Sequence, residues 1–277
     1  MKLSDHGNLP LGDAALEYRM IGPRPDDAPT IVMLHEGLGS VTTWGTFPDA
    51  LAERSGCGVF VYARAGYGQS SPVPLPRPLD YMQREATETL PRILDAIGFR
   101  RGLLLGHSDG ASIAAYYAGT HQDHRVNGIV LIAPHFFTEA PGLAEIANAK
   151  TAYETTDLRA KLARHHAHVD VAFRGWNDAW LDPKFAISFD LTDALAYIRV
   201  PILVVQGADD RYGTLAQVRV VEDECYCPVE TLLLPGCGHA PQREKFEETL
   251  AAITAFSAQL FQTDAQALDD VVRFSPL

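Results

Sequence analysis

The sequence predicts an α/β fold in which a mostly parallel sheet carries helices on both faces and is interrupted by one helical insertion. Three observations lead there. Several short runs are apolar throughout rather than alternating, and stretches of helical character stand between them, as expected for parallel strands buried on both faces. One of them, Leu103-Leu104-Leu105, runs into Gly106-His107-Ser108-Asp109-Gly110, and a helix-forming stretch from Ser112 to Ala118 follows. The segment from Pro134 to Val200 then breaks the rhythm, being helical, rich in Trp, His and Arg, and without a strong strand.

In chain order, Ala15 to Ile21 alternates as a half-exposed strand, and Gly22 to Pro29 is a turn-rich connection. Thr30 to His35 reads as a buried strand with a glycine-rich loop, Glu36-Gly37-Leu38-Gly39-Ser40, at its end. Phe47 to Arg54 is helical, and Gly58 to Ala63 is a buried strand that runs into Arg64-Ala65-Gly66-Tyr67-Gly68-Gln69-Ser70 and a proline-rich loop. Leu79 to Ile97 forms a long amphipathic helix closed by Gly98. After the strand and helix around Ser108 come apolar strands at Val126 to Ala133, Ile202 to Val205 and Glu230 to Leu234. A last helix is expected from about Arg243 to Gln262. Residues 1–134 and 201–277 thus form one core, and residues 135–200 an inserted cap.

Composition narrows the classes. Of the 277 residues, 47% are hydrophobic and 21% charged, ordinary for a globular enzyme with a substantial core. A formal net charge of −12 argues against nucleic acid or an anionic membrane as the main partner, since both require basic patches. The first residues, Met1 to Gly7, lack the apolar region of a signal peptide, and no stretch is long and apolar enough for a membrane helix. The cysteines at 57, 225, 227 and 237 lack metal-ligand or redox-motif spacing and read as reduced thiols, which fits a cytoplasmic location.

A serine on a sharp turn between strand and helix is exposed for attack, and Gly106 and Gly110 leave room where that turn is too tight for a Cβ. A serine hydroxyl is a weak nucleophile and requires a base held by a third group. Of ten histidines, His239 is the best placed, in the glycine-rich loop Pro235-Gly236-Cys237-Gly238-His239 after the last strand. The acid is expected after the strand Ile202 to Val205, where either Asp209 or Asp210 is available; Asp210, three residues after Gly207, has the favoured spacing. The order Ser108, Asp210, His239 is the Ser…Asp…His order of one such arrangement. An oxyanion hole requires the N–H after the nucleophile, that of Asp109, and a second from the early loop, from Gly37 or Leu38.

On these residues, with the Gly66-Tyr67-Gly68-Gln69-Ser70 loop, Gln206-Gly207-Ala208-Asp209-Asp210 and Gly238-His239, the chain resembles the α/β-hydrolase superfamily from about Ala15 to Gln262. The resemblance implies an eight-stranded, mostly parallel sheet and a serine hydrolase without a cofactor. It leaves the substrate open, because the fold supports many chemistries. Two positions depart from the family pattern. Glu36 follows His35 where the family usually has glycine, which shifts the glycine by one residue and leaves the second oxyanion donor open between Gly37 and Leu38. The Glu36 carboxylate belongs either at the pocket edge or, the preferred alternative, in a local bond holding the loop. Asp109 directly after the nucleophile either faces the pocket, where it repels anions, or is tied to backbone or an arginine.

The expected ligand is a small molecule, with the cap setting specificity. Phe136, Phe137, Tyr153, Phe173, Trp176 and Trp180 are candidates for an apolar or aromatic pocket, although aromatic residues in a helical insertion more often serve simple packing. Arg159, Arg164 and Arg174 are candidates for clamping a carboxylate, with a solvated helix face as the plainer reading. His165, His166 and His168 lack a carboxylate or cysteine partner at ligand spacing, so no metal is expected. The reaction predicted is hydrolysis of a small carboxylic ester or lactone. Carbon–carbon bond hydrolysis of a ring-fission product is the nearest enzymatic alternative, and a low-turnover ligand-binding receptor the alternative of another class. A serine rather than an aspartate at the nucleophile position disfavours epoxide hydrolase and dehalogenase chemistry. Oligomeric state is not readable from the sequence.

Overall fold

The computed structural model describes the backbone of residues 3–273 and the side chains of residues 3–261. Eight strands form one sheet: β1 His6–Leu11, β2 Ala14–Ile21, β3 Thr30–Leu34, β4 Gly58–Tyr62, β5 Gly102–His107, β6 Val126–Ile132, β7 Ile202–Gly207 and β8 Val229–Leu234. Their order is β1-β2-β4-β3-β5-β6-β7-β8. Only β2 runs against its neighbours, pairing antiparallel with β1 and β4, while every pairing from β4 to β8 is parallel.

Alternate residues of the central strands enter two different cores, which is why these runs are apolar without interruption. Val32, Leu34, Leu104, Leu131 and Val204 pack under the helices Leu90–Ala96 and Asp109–Thr120. Ile31, Met33, Leu103, Leu105, Val130, Ile132, Leu203 and Val205 face the helices Phe47–Ser55 and Phe246–Arg273. Because the strands are parallel, β3, β5 and β7 bring their carboxyl ends to one edge. That edge is where open α/β sheets bind ligands.

Three elements differ from the sequence reading. Strand β1 had no visible pattern, since Gly7 and Pro10 interrupt it; as the outermost strand it tolerates a proline that cannot donate to a ladder. The helix expected from Leu79 to Ile97 is Tyr81–Arg84 and Leu90–Ala96 joined by a π-helical stretch, Glu85–Thr89, where Pro91 removes an N–H that the next turn would use. The last helix begins at Phe246 rather than Arg243 and continues to Arg273, after a separate short turn of helix, Pro241–Glu244.

Between β6 and β7 lie five helices, Ala140–Thr155, Leu158–Leu162, Val169–Trp180, Pro183–Ser188 and Thr192–Leu195. The insertion shares its packing with the core. Phe173, Trp176, Trp180 and Phe185 belong to the same apolar cluster as Tyr81, Met82 and the helix after Ser108. The aromatic residues therefore fasten the insertion to the sheet edge where the loops converge.

Candidate active site

Ser108 closes β5 with φ 52° and ψ −118°, a conformation rarely adopted by a residue with a side chain. It is held there by its N–H, which donates to the Ile132 carbonyl at 2.9 Å. The helix Asp109–Thr120 crosses β3 so closely that a Cβ on Gly110 would lie 2.1 Å from the Leu34 carbonyl oxygen. Strain of this kind persists only where the surroundings fix it, and it aims the hydroxyl away from the sheet.

His239 lies in the loop after β8, its Nε2 3.0 Å from Ser108 Oγ and its Nδ1 2.8 Å from Asp210 Oδ2. Asp210, in the loop after β7, also accepts from Gln206 Nε2 at 2.9 Å and, through Oδ1, from the Tyr212 N–H at 2.8 Å. Burial would raise its pKa, but the His239 hydrogen bond and charge and the Tyr212 N–H outweigh burial and hold the carboxyl below its ordinary value. Asp209, the other sequence candidate, uses its N–H on the Cys237 carbonyl. With an ionised acceptor on Nδ1, that nitrogen carries the proton and Nε2 is free to accept from the serine.

Two further histidines surround His239. His107 Nε2 is 2.7 Å from the His239 carbonyl oxygen, so it donates and fixes the loop from behind. The His135 ring lies 5.5 Å from the His239 ring, and burial first, then the nearby His239, pushes its pKa down and keeps it neutral. Neither was singled out in the sequence, though His107 occupies the variable position of the Gly-x-Ser-x-Gly turn.

The loop after β3 faces Ser108 from across the site. Asp109 is the first residue of its helix, directly after Ser108, so its N–H has no intrahelical acceptor and lies at the positive end of the helix dipole. Glu36, Gly37, Leu38, Ser108, Asp109 and His239 all line one cavity of about 220 Å³. Gly37 has no room for a side chain, because a Cβ there would lie 2.2 Å from Trp176 Nε1.

Both departures from the family pattern receive a structural account. The Asp109 side chain is fully buried and turned away from solvent, where Tyr81 donates to Oδ2 and the Arg64 guanidinium stands 3.9 Å off. Burial still raises its pKa, partly offset by Arg64. The Glu36 carboxylate sits at the cavity wall, 3.4 Å from His107 Nδ1 and 3.4 Å from the Arg243 guanidinium. Burial opposes its ionisation, yet the His107 contacts prevail and push its pKa well below the usual carboxylate range. Glu36 therefore lines the cavity, and its carboxylate faces His107 and Arg243 from other elements rather than making the expected local bond within its own loop.

Trp176 and Trp180 line the cavity with Leu143 and Ile146. Phe136, Phe137, Tyr153 and Phe173 do not, the last two stacking on each other instead. Phe136 is wholly buried, its N–H donating to Gln217 Oε1 at 2.7 Å, and Phe137 pairs with Asp190 in an isolated bridge. The wall also includes Glu139, Tyr212 and Arg243, which no motif or spacing groups together. Arg159 is bound to Asp170 on the surface rather than facing the cavity. Among the described residues no group of three or more His, Cys, Asp or Glu side chains is arranged to hold a metal ion, and no helix is long and apolar enough to cross a membrane.

This combination of sheet, strained serine turn and histidine loop defines an α/β hydrolase. Residues 31–252 match the alpha/beta hydrolase family, and the chain belongs to it. Over 284 aligned residues it is 24% identical to a proline iminopeptidase of Lactobacillus helveticus, covering 89% of this chain and 95% of that protein. Among solved structures, a proline iminopeptidase of Mycobacterium smegmatis superposes with a TM-score of 0.70 at 21% identity, covering 95% of this chain and 99% of that one. An enol-lactonase from Burkholderia xenovorans LB400 gives 0.69 at 21% identity, covering 90% and 99%. At such identities the solved structures establish the fold. The protein is a hydrolase of this family.

Proposed function

We propose that the protein is a cofactor-independent serine hydrolase of small carboxylic esters or lactones, with Ser108 as nucleophile, His239 as base and acid, and Asp210 orienting His239. The observation that carries this reading is the continuous chain Ser108 Oγ to His239 Nε2 at 3.0 Å and His239 Nδ1 to Asp210 Oδ2 at 2.8 Å, at the strand edge and inside a cavity. His239 takes the hydroxyl proton as Oγ bonds to the carbonyl carbon. The oxygen of that carbonyl becomes an oxyanion beside the N–H groups of Asp109 and of Gly37 or Leu38. Collapse breaks the bond to the alkoxy group, which leaves with the proton from His239. Water, deprotonated by His239, then releases the acid and restores Ser108.

Residues 135–200 act as a cap in this reading, with Trp176 and Trp180 forming the apolar wall for a small substrate. A cavity of about 220 Å³ lies below the usual range of ligand pockets, which favours a compact acyl group. An aminopeptidase reading, suggested by the Lactobacillus helveticus relative, requires an anion free for the substrate's amine. Of the three acidic residues lining the cavity, Asp109 turns its carboxylate to Tyr81 and Arg64, Glu139 accepts from Thr214 and Gln217, and Glu36 faces His107 and Arg243, which favours a neutral substrate.

The test is a kinetic panel of p-nitrophenyl acetate and butyrate, a γ-lactone, a vinylogous-ketone ring-fission analogue and prolyl-p-nitroanilide. Higher kcat/KM on the ester or lactone is the expected result. Preference for the anilide or for the carbon–carbon substrate would replace the ester reading, and saturable binding without turnover would favour a receptor.

A further inference from the structure

The adjacent histidines His165 and His166 take no part in the reaction above, and they lie in the insertion, between the helices Leu158–Leu162 and Val169–Trp180. His166 is buried, at 2% exposure, against two core loops. The Gly68 N–H donates to His166 Nδ1 at 3.0 Å. A backbone N–H can only donate, so Nδ1 carries no proton. The proton is therefore on Nε2, which lies 3.0 Å from the Leu38 carbonyl oxygen and donates to it. Next to it, His165 Nδ1 is 2.8 Å from Thr42 Oγ1, and the Ala167 N–H donates to the Gly68 carbonyl at 2.9 Å.

His35 is fixed in the same way on the other side of the loop. The Arg64 N–H donates to His35 Nε2 at 3.0 Å, so His35 Nδ1 holds the proton and donates to the Glu36 carbonyl at 2.7 Å. Two neutral imidazoles thus grip the carbonyls of Glu36 and Leu38, on either side of Gly37. A peptide loop held by its carbonyls at both ends has its intervening N–H groups fixed in direction, which is what preorganised stabilisation of an oxyanion requires.

We infer that His166 is a positioning residue that completes the oxyanion hole from the cap, by fixing the Leu38 peptide while bound to the Gly68 N–H. The inference rests on the hydrolase reading above. It makes cap docking and oxyanion stabilisation one event, because a displaced cap withdraws the imidazole from Leu38. It also adds an acid sensitivity. Protonated His166 would turn an N–H toward the Gly68 N–H and break the grip. The charged and titratable groups around it are His165 on its own segment, His35 and Glu36 across the loop, and Tyr67, whose ring lies 6.0 Å away. Burial first, with His165 adding to it, lowers the His166 pKa against the opposing Leu38 bond and Glu36 charge. A lowered pKa in the folded state means the grip is complete above the ordinary histidine range and is lost as pH falls through the lowered value.

The experiment compares wild type, His166→Ala and His166→Gln on p-nitrophenyl acetate, and measures inhibition by phenylboronic acid, whose adduct with Ser108 mimics the tetrahedral intermediate. Thermal unfolding is followed in parallel. His166→Ala is expected to lower kcat by about tenfold or more, below the 10²–10³ of losing a donor outright. KM should stay within about twofold and boronate affinity should fall with kcat. His166→Gln, whose amide can still donate to Leu38, should recover part of both, and it serves alone if the alanine variant fails to fold. In wild type the acid limb of kcat should fall with more than one proton, and in His166→Gln more gradually. Unchanged kcat, boronate affinity and acid limb in folded variants would overturn the inference alone. A wild type that neither turns over nor binds the boronate would overturn the hydrolase reading with it.

Discussion

Asp210 spends one oxygen on His239 and Gln206 and the other on the backbone N–H of Tyr212. An amide in its place loses the charge that stabilises a protonated His239 and can present an N–H to Nδ1, forcing the wrong tautomer. Asp210→Asn is therefore expected to lower kcat by about 10³–10⁴-fold with a smaller change in KM, by analogy with other Ser-His-Asp enzymes. Steady-state kinetics on a p-nitrophenyl ester checks it. The depressed pKa of Asp210 keeps it ionised through the neutral range, so its contribution to stability is full above the ordinary carboxyl range and declines only as pH falls through the lowered value. At the turn, Gly110→Ala sets a methyl 2.1 Å from the Leu34 carbonyl, a backbone atom that cannot move aside cheaply. A loss of about 1–3 kcal/mol or more is expected from denaturant titration, with Ser108 displaced and activity reduced.

At the scale of elements, the loop after β3 is where sequence and structure meet least directly. The apolar strands and the serine turn were legible because their pattern is local: a run of Leu103 to Leu105 followed by two glycines needs no partner to be recognised. Asp210 and His239 were legible by their places after strands. The partners of Glu36 were not, because His107 and Arg243 reach it from elements 71 and 207 residues away along the chain. The burial of the Asp109 side chain against Tyr81 and Arg64 was invisible for the same reason. Phe136 and Trp180 are both aromatic residues in the insertion, and no period in the sequence says that one is wholly buried away from the cavity while the other lines it. The contact between Gly37 and Trp176 leads to a direct expectation. Gly37→Ala should push the Trp176 helix outward, raise KM and lower kcat together, and leave the unfolding midpoint nearly unchanged if the insertion yields. A Trp176→Ala background, which removes the opposing ring, should relieve much of that loss, and a double-mutant cycle reads the coupling.

Across the whole molecule, a net charge of −12 surrounds a cavity that already holds Glu36 and Glu139. Such a field disfavours the approach of anionic substrates, and added salt screens it within about 8–10 Å. Raising salt from low to physiological strength should increase kcat/KM for a hemisuccinate ester relative to its neutral methyl counterpart. Equal responses would show that the field does not reach the cavity. The fold ties these scales together. A parallel sheet brings Ser108, Asp210 and His239 together from three strand ends, and Trp176 and Trp180 line the same cavity.

The most direct measurement is intact mass after exposure to a fluorophosphonate probe, on wild type and Ser108→Ala. A single adduct on wild type, absent from the folded alanine variant, is the predicted result and identifies Ser108 as an activated nucleophile. No adduct on folded wild type, or an adduct that persists without Ser108, would contradict the mechanism at its first step.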